Sequence, residues 1–179
     1  MKRGVKILIA VIVVLAAVGG YFFLQPPKSP PRTTEFSGAG LDITVKYSQP
    51  SKRGRLIFGD KKDNALQPFG QYWRLGANAA TEITFSKNVK FGDKAVNAGT
   101  YRMYAVPGSS TWQVALNSEL GKSGASEPDH SKDVAVIEVP AGTGPETEQF
   151  VINFSADTAG VKMDFVWDKT VVTIPITAQ

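Results

Sequence analysis

The stretch that decides the fold is LDITVKYS, residues 41 to 48, in which apolar and polar side chains alternate without interruption. Successive side chains of a β-strand point to opposite faces of a sheet, so this alternation predicts a strand with one buried face. The apolar positions on the predicted buried face are Leu41, Ile43, Val45 and Tyr47.

The same alternation recurs along the chain, in residues 112–116, 150–154 and 161–167. Turn residues separate such segments, among them Gly92-Asp93 and Asp168-Lys169. Helical periodicity is nearly absent after residue 35, and about eight to ten short strands are expected. This pattern predicts an all-β domain, an antiparallel two-sheet β-sandwich of jelly-roll-like form. A partly closed β-barrel is the alternative.

The N-terminal region contains ILIAVIVVLAAVGGYFFL, an uncharged stretch at residues 7–24. A helix of this length, at about 1.5 Å per residue, crosses most of a hydrocarbon core of about 30 Å. Lys2, Arg3 and Lys6 precede it, and the positive-inside rule then predicts a cytoplasmic N-terminus and a periplasmic or otherwise extracytoplasmic domain. Tyr21, at the position of an interfacial aromatic belt, favours an uncleaved signal-anchor over a cleaved signal peptide.

Four segments follow from these patterns. Residues 1–6 form a cytoplasmic basic tip, 7–24 a transmembrane helix, 25–34 a Pro-rich linker and 35–179 an extracytoplasmic domain. Five of the 20 basic residues lie in the first 34 positions, which leaves 15 against all 16 acidic residues in the domain. Because the domain is close to neutral, no nucleic-acid-binding face is predicted.

The residue inventory excludes several chemistries. The chain has no cysteine, so disulfides, a lipoprotein anchor and a cysteine nucleophile are excluded. His130 is the sole histidine and lies in a loop rich in glycine, serine and acids, which leaves too few members for a histidine triad or a multi-histidine metal site. No phosphate-binding glycine motif occurs. No catalytic residue, metal site or cofactor is therefore predicted, and a carboxylate hydrolase using Glu82, Asp60 or Glu119 remains a lesser alternative.

A second informative stretch is PFGQYWRLGANAATEITF, residues 68–85, which contains Trp73, Arg74, Asn78 and Glu82. If the small residues before Glu82 form a turn, Arg74 and Glu82 flank it and either form a bidentate ion pair or hold a ligand between them. The purely structural interpretation places Trp73 in the core, has Asn78 cap the turn and leaves Arg74 and Glu82 paired with each other.

This stretch and two others, YSQPSKRGRLIFGD at residues 47–60 and NAGTYRMYAVPG at 97–108, resemble a bacterial family common in Bacteroidetes, the domain-of-unknown-function family 2911. The similarity runs from about Ile43 to Ile176. The resemblance implies an envelope protein with no established activity. The family's motif positions include polar residues that a protein core does not require.

We therefore expect a membrane-tethered envelope domain that binds a small ligand or glycan without catalysis. Aromatic side chains would stack on a sugar ring, and the polar ones would bind its hydroxyl groups. A structural or partner-binding envelope module is the alternative. The candidate ligand-binding residues are Tyr47, Arg55, Trp73, Arg74, Asn78 and Glu82.

Overall fold

The computed structural model describes residues 3–24, 28–38, 40–158 and 160–179. Met1 and Lys2 of the predicted tip and residues 25–27 of the predicted linker lie outside this part of the chain. The described elements are one helix, α1 (Arg3–Leu24), and the strands β1 (Pro31–Gly38), β2 (Leu41–Ser48), β3 (Phe58–Gly59), β4 (Gln67–Pro68), β5 (Thr81–Phe85), β6 (Val89–Phe91), β7 (Lys94–Val96), β8 (Gly99–Val106), β9 (Thr111–Asn117), β10 (Asp133–Asp157) and β11 (Gly160–Ala178), with single 3-10 turns at Lys61–Asp63 and His130–Lys132.

Nine of these strands form one antiparallel sheet in the order β1-β2-β5-β8-β9-β10-β11-β6-β7. β3 and β4 form a separate parallel pair. The all-β prediction with one N-terminal helix is confirmed. The alternative was a partly closed barrel; the described sheet is not a closed barrel, because β1 and β7 lie at opposite ends of its strand order.

β10 gives the sheet its two halves. Residues 133–140 of this strand pair with β9, whereas residues 141–157 pair with β11. A straight strand of 25 residues would extend about 80 Å, far beyond the diameter of a domain of this size. The strand pairing shifts register between Thr143 and Thr147 and again between Thr147 and Val151. The shifts divide the sheet into two halves that share β10, so the predicted two sheets are halves of one.

The core contains the apolar faces that alternation predicted. All four apolar residues of β2 are buried, and so are Val161, Met163, Phe165 and Trp167 of β11. The two halves of the sheet meet through these faces: the ring of Tyr47 in β2 lies edge-on to that of Phe150 in β10, with centroids 5.6 Å apart. Face-to-face burial of this kind supplies most of the driving force for folding.

All three tryptophans belong to one aromatic cluster in this core. The ring centroid of Trp73 lies 5.7 Å from that of Trp167, 5.8 Å from Trp112 and 4.9 Å from Phe150. Phe58 of β3 closes the cluster at 4.8 Å from Trp112. The Trp73–Trp167 pair is stacked and the other three are edge-to-face, and aromatic contacts at these separations each add about 0.5–1.5 kcal/mol beyond burial. The cluster makes a rigid base for the loop that carries Trp73.

Three local features differ from the sequence predictions. Residues 31–34, assigned to the Pro-rich linker, form the first half of β1 and pair with β2. Proline is tolerated there because β1 is an edge strand and Pro31 is its first residue. β10 and β11 are long, not short. Asp168-Lys169 does not separate two strands: Asp168 takes a φ of 53° inside β11, and the strand continues.

The helix α1 is exposed along its described length. Its 22 residues extend about 33 Å, and residues 3–21 are apolar enough to cross a membrane. A signal sequence has the same properties.

Candidate functional site

The loop between β4 and β5 is built around Trp73. Its backbone N–H donates to the carbonyl of Ala105 in β8 at 2.8 Å, and the N–H of Ala105 donates back at 2.9 Å. Its side chain is 2% exposed, and Nε1 donates to the carbonyl of Gly76 at 3.2 Å. Trp73 therefore fixes the loop to β8 and to the aromatic cluster at once.

The backbone after Trp73 is held in an unusual conformation. Leu75 and Asn78 have φ values of 53° and 59°, in the left-handed region that costs a non-glycine residue about 1–2 kcal/mol. Leu75 is fully buried, and its carbonyl accepts a 2.7 Å hydrogen bond from the hydroxyl of Thr81. Gly76 has a φ of 151°, and a Cβ at this position would lie 2.7 Å from the carbonyl oxygen of Ser48. The surrounding packing thus compensates for the strain and presents Arg74 and Asn78 at fixed positions.

A cleft of about 460 Å³ opens beside this loop. Segments far apart in the sequence line it, from Ser29 near the start of the domain to Trp167 in β11. Four of the six candidate residues lie on its wall: Arg55, Trp73, Arg74 and Asn78. Trp73 exposes too little surface to stack on a ligand and forms part of the cleft floor.

Both arginines of the cleft are held by backbone carbonyls. Arg55 donates from Nε to the carbonyl of Lys52 at 3.0 Å and from Nη2 to that of Ser51 at 2.7 Å. Arg74 donates from Nη1 to the carbonyl of Asn78 at 3.2 Å. Neither guanidinium lies within 4.0 Å of a carboxylate anywhere in the described chain. Their orientation is fixed while their charge stays without an acidic partner.

Asn78 ties the cleft to the start of the domain. Its side-chain amide donates to the carbonyl of Ser29 at 3.4 Å, across 49 residues of sequence. The predicted capping of a local turn by this side chain is replaced by this long-range contact.

The remaining two candidates lie elsewhere. Tyr47 and Glu82 line a second groove of about 440 Å³, together with Arg32 and Lys46. Tyr47 is 7% exposed, and its hydroxyl accepts a 3.3 Å hydrogen bond from the N–H of Ile152, so it is a core residue and not an open stacking surface. Burial raises the pKa of Tyr47.

The predicted ion pair between Arg74 and Glu82 does not form among the described residues. Trp73 and Thr81 both pair with β8, at Ala105 and Met103, so the residues between them bulge away from the sheet. Glu82 stays in β5 between Lys46 and Arg102, whereas Arg74 follows the bulge. Spacing alone suggested proximity, but the shared pairing with β8 separates the two side chains.

Sequence reasoning missed a buried arginine behind the cleft. Arg102 in β8 is 1% exposed, and its Nη2 donates to the hydroxyl of Tyr72 at 2.6 Å and to the carbonyl of Ser126. Nη1 lies 3.9 Å from a carboxylate oxygen of Glu119, and neither Nε nor Nη1 has a hydrogen-bond partner in the described chain. Tyr72 in turn lines the cleft. The sequence signal that could have identified Arg102 was its charge within the otherwise largely apolar segment TYRMYAV, residues 100–106.

The loop between β9 and β10, residues 118–132, covers Arg102, and a second network of polar side chains holds it to the sheet. The hydroxyl of Tyr104 donates to Asp133 at 2.7 Å and lies 2.8 Å from Nδ1 of His130. Nε2 of His130 lies 3.1 Å from Glu127. Hydrogen bonds to Glu127 and to Asp133 raise the pKa of His130, and burial together with Asp133 raises the pKa of Tyr104. His130 connects the loop to the sheet through these bonds.

The cleft has no acidic residue among its described lining residues. The three carboxylates considered for a hydrolase are dispersed: Glu82 lies in the second groove, Asp60 lies 3.5 Å from Lys62, and Glu119 lies 3.2 Å from Lys132. No group of three potential metal ligands occurs in the described residues. The arrangement is suited to holding a polar ligand through arginine and amide donors.

Comparison with known proteins places the chain in a family. No curated protein and no solved structure matches it. A family model described as "Protein of unknown function (DUF2911)" matches residues 29–176, which include β1 to β11 almost completely and all six candidate residues. The chain belongs to the DUF2911 family.

Proposed function

We propose that this protein is a membrane-tethered envelope domain that binds a small polar ligand or glycan in the cleft beside Trp73, without catalysis. The helix α1 supports the tether because it is long and apolar enough to span a bilayer. Lys2, Arg3 and Lys6, which precede the uncharged stretch at residues 7–24, favour a cytoplasmic N-terminus and an extracytoplasmic domain.

The observation that carries the binding proposal is the convergence of Arg55, Arg74 and Asn78 on one cleft. Arg74 and Asn78 lie in the loop between β4 and β5 and Arg55 lies in an earlier loop, yet each side chain donates a hydrogen bond to a backbone carbonyl. Ligand sites combine a concave shape with a few oriented polar groups, and orienting the groups before binding lowers its entropic cost. The left-handed Asn78 adds backbone strain of the kind found at binding sites.

The tryptophans supply a direct assay. Trp73 and Trp167 line the cleft, so intrinsic fluorescence of the full chain in an uncharged detergent reports on its occupancy. The probes are glucose, N-acetylglucosamine and glucuronate. We expect a saturable change with at least one of them, at a Kd of about 1 mM or below.

The variant Asn78→Gly tests the site because glycine accepts the left-handed backbone and only the amide is lost. Asn64→Gly is its matched control: Asn64 has a φ of 57°, is exposed and lies outside the cleft. We expect Asn78→Gly to weaken binding at least about fivefold and Asn64→Gly to leave it unchanged. The proposal is wrong if no probe gives a saturable change, or if both variants bind like the wild type.

A further inference from the structure

The charge of the cleft indicates what class of ligand it takes. The described residues that line it include Arg55 and Arg74 but no aspartate or glutamate. This positive character is local, because the domain from residue 35 onward carries 15 basic and 16 acidic residues. Arg102 lies behind the wall, with its guanidinium 5.7 Å from the ring centroid of Tyr72, but its charge is shared with Glu119, whose carboxylate lies 3.9 Å from Nη1.

Each arginine of the cleft has guanidinium N–H groups that make no hydrogen bond to the described residues. A guanidinium can bind an oxoacid through two parallel N–H bonds, along either the Nε/Nη2 edge or the Nη1/Nη2 edge. Arg74 uses only Nη1, in its contact with Asn78, so its Nε/Nη2 edge makes no hydrogen bond to any described residue. Arg55 uses Nε and Nη2 for the carbonyls of Lys52 and Ser51, and its Nη1 has no hydrogen-bond partner in the described part of the chain. The hydrogen bonds to backbone carbonyls orient each guanidinium group without neutralising its positive charge.

We propose that the cleft beside Trp73 binds an anionic group, a phosphate or a carboxylate, through Arg55 and Arg74. This inference rests on the proposed ligand-binding function of the cleft and specifies its ligand. An unpaired guanidinium at a partly enclosed site attracts an oxoanion more strongly than a neutral hydroxyl group, because the charge-assisted bond is about twice as strong as a neutral one.

The tether restricts where such a group comes from. Ser29 lines the cleft only five residues after α1 ends at Leu24, which places it at most about 18 Å from the end of the helix. With α1 in a bilayer, the cleft opens close to the membrane surface. The anionic group therefore belongs either to a phospholipid headgroup or to an acidic solute such as a uronic acid, and both present the same oxoanion to the arginines.

The first experiment measures the charge preference. Full-length protein in an uncharged detergent is titrated with glucuronate, with glucose as its neutral counterpart, and with inorganic phosphate, while tryptophan fluorescence is recorded. We expect glucuronate to bind at least about tenfold more tightly than glucose, and phosphate to bind saturably. Raising NaCl from about 50 mM to about 500 mM should weaken binding of both anions through screening.

Three variants, each of which replaces one arginine by an uncharged glutamine, complete the test. Arg55→Gln and Arg74→Gln should each weaken glucuronate binding at least about fivefold. Arg53→Gln, at an exposed arginine outside the cleft, should change it less than about twofold. Near-UV circular dichroism and the melting temperature confirm that each variant is folded.

The outcomes separate this inference from the function on which it rests. If glucose binds as tightly as glucuronate, Arg55→Gln and Arg74→Gln behave like Arg53→Gln, and Asn78→Gly still weakens binding, the anion preference is wrong while the binding function stands. If none of the probes binds saturably, both are wrong.

Native mass spectrometry of the protein extracted from membranes then identifies the source of the anion. Phospholipid retained by the wild type and by Arg53→Gln, but lost from Arg74→Gln, assigns a headgroup. Glucuronate binding by a wild-type protein that retains no lipid assigns an acidic solute. Either result agrees with the proposed oxoanion chemistry.

Discussion

The hydroxyl of Tyr72 accepts a 2.6 Å hydrogen bond from Nη2 of Arg102 and donates a 3.0 Å hydrogen bond to the carbonyl of Gly124. A single hydroxyl thereby joins three parts of the domain: the loop that forms the cleft, the strand β8 and the loop that covers Arg102. Because Arg102 is buried and two of its nitrogens have no hydrogen-bond partner in the described chain, the bond to Tyr72 has few substitutes.

We expect Tyr72→Phe to lower the free energy of unfolding by about 1–3 kcal/mol. The variant removes one of the two hydrogen bonds that Nη2 of the buried Arg102 makes and leaves only the bond to the carbonyl of Ser126. Tyr101→Phe is the matched control, because the hydroxyl of Tyr101 donates to the carbonyl of Asn97 at 2.9 Å in an exposed position. Its cost should stay below about 1 kcal/mol. Urea unfolding followed by circular dichroism measures both, and equal small losses would show that the buried bond is dispensable.

Gly76 should be intolerant of any side chain. In Gly76→Ala a methyl group would meet the carbonyl oxygen of Ser48 at 2.7 Å, in addition to the cost of the positive φ. We expect a loss of about 3 kcal/mol or more in unfolding free energy. Gly70→Ala isolates the conformational part, because Gly70 has a φ of 73° and a methyl group there would meet no described atom within 4 Å. That variant should lose only about 1–2 kcal/mol, and similar losses for the two would refute the clash.

Arg74 and Glu82 should act independently. In a double-mutant cycle with Arg74→Ala and Glu82→Ala, the unfolding free energies should add within about 0.5 kcal/mol, as for residues without a shared contact. Lys52 and Asp168, whose charged atoms lie 2.7 Å apart, provide the positive control and should show measurable coupling. Coupling between Arg74 and Glu82 as large as in the control would mean that the two meet in solution.

His130 should make the stability of the domain depend on pH. Its pKa is raised in the folded state, chiefly by the hydrogen bond to Glu127 and then by the one to Asp133, while the hydroxyl of Tyr104 faces the same nitrogen as Asp133. A raised pKa means that the protonated form favours the folded state. The contribution is therefore fully present below the unfolded-state pKa of about 6.5 and is lost as the pH rises through the folded-state value.

The measurement is the difference in unfolding free energy between wild type and His130→Gln from about pH 5.5 to about pH 8.5. We expect the advantage of the wild type to shrink as the pH rises. Glu127→Gln removes the largest cause of the shift and should flatten the dependence. A difference that stays constant or grows with pH would contradict the assignment.

The mature protein should keep its N-terminal segment. We expect intact mass spectrometry of the native protein to include residues 1–24, and membrane fractions to retain it until detergent is added, because the apolar stretch lacks a convincing cleavage site. A mature N-terminus near Gly20 would identify the segment as a cleaved signal peptide.

Much of the fold was readable from local pattern. The period of two in residues 41–48 and 161–167 predicted which side chains are buried, because that period is a property of the strand itself. The continuation of β10 through Gly142 and Pro145 was not predictable, because glycine and proline in this segment favour a loop. In the structure that segment belongs to β10, and its pairing with β11 carries the register shifts.

Sequence reasoning grouped six candidate residues but not their arrangement, and two of them, Tyr47 and Glu82, lie in the second groove. The family motif drew attention to Arg55, Trp73, Arg74 and Asn78, which all line the cleft. Their arrangement depends on contacts between distant segments, such as Asn78 with Ser29. The suspected partnership of Arg74 with Glu82 relied on spacing alone, and spacing does not reveal that both ends of the loop pair with β8.

The position of β11 determines when this domain can fold during synthesis. β11 follows the other described strands in the sequence, yet it lies between β10 and the β6–β7 hairpin, and its Trp167 belongs to the aromatic cluster. The hairpin at residues 89–96 joins the sheet only through the pairing of β6 with β11, so it cannot join before residues 160–178 have been synthesised. Contacts over such long sequence separations slow folding, so we expect the β6–β7 hairpin to join the sheet late, after β10 and β11 have paired.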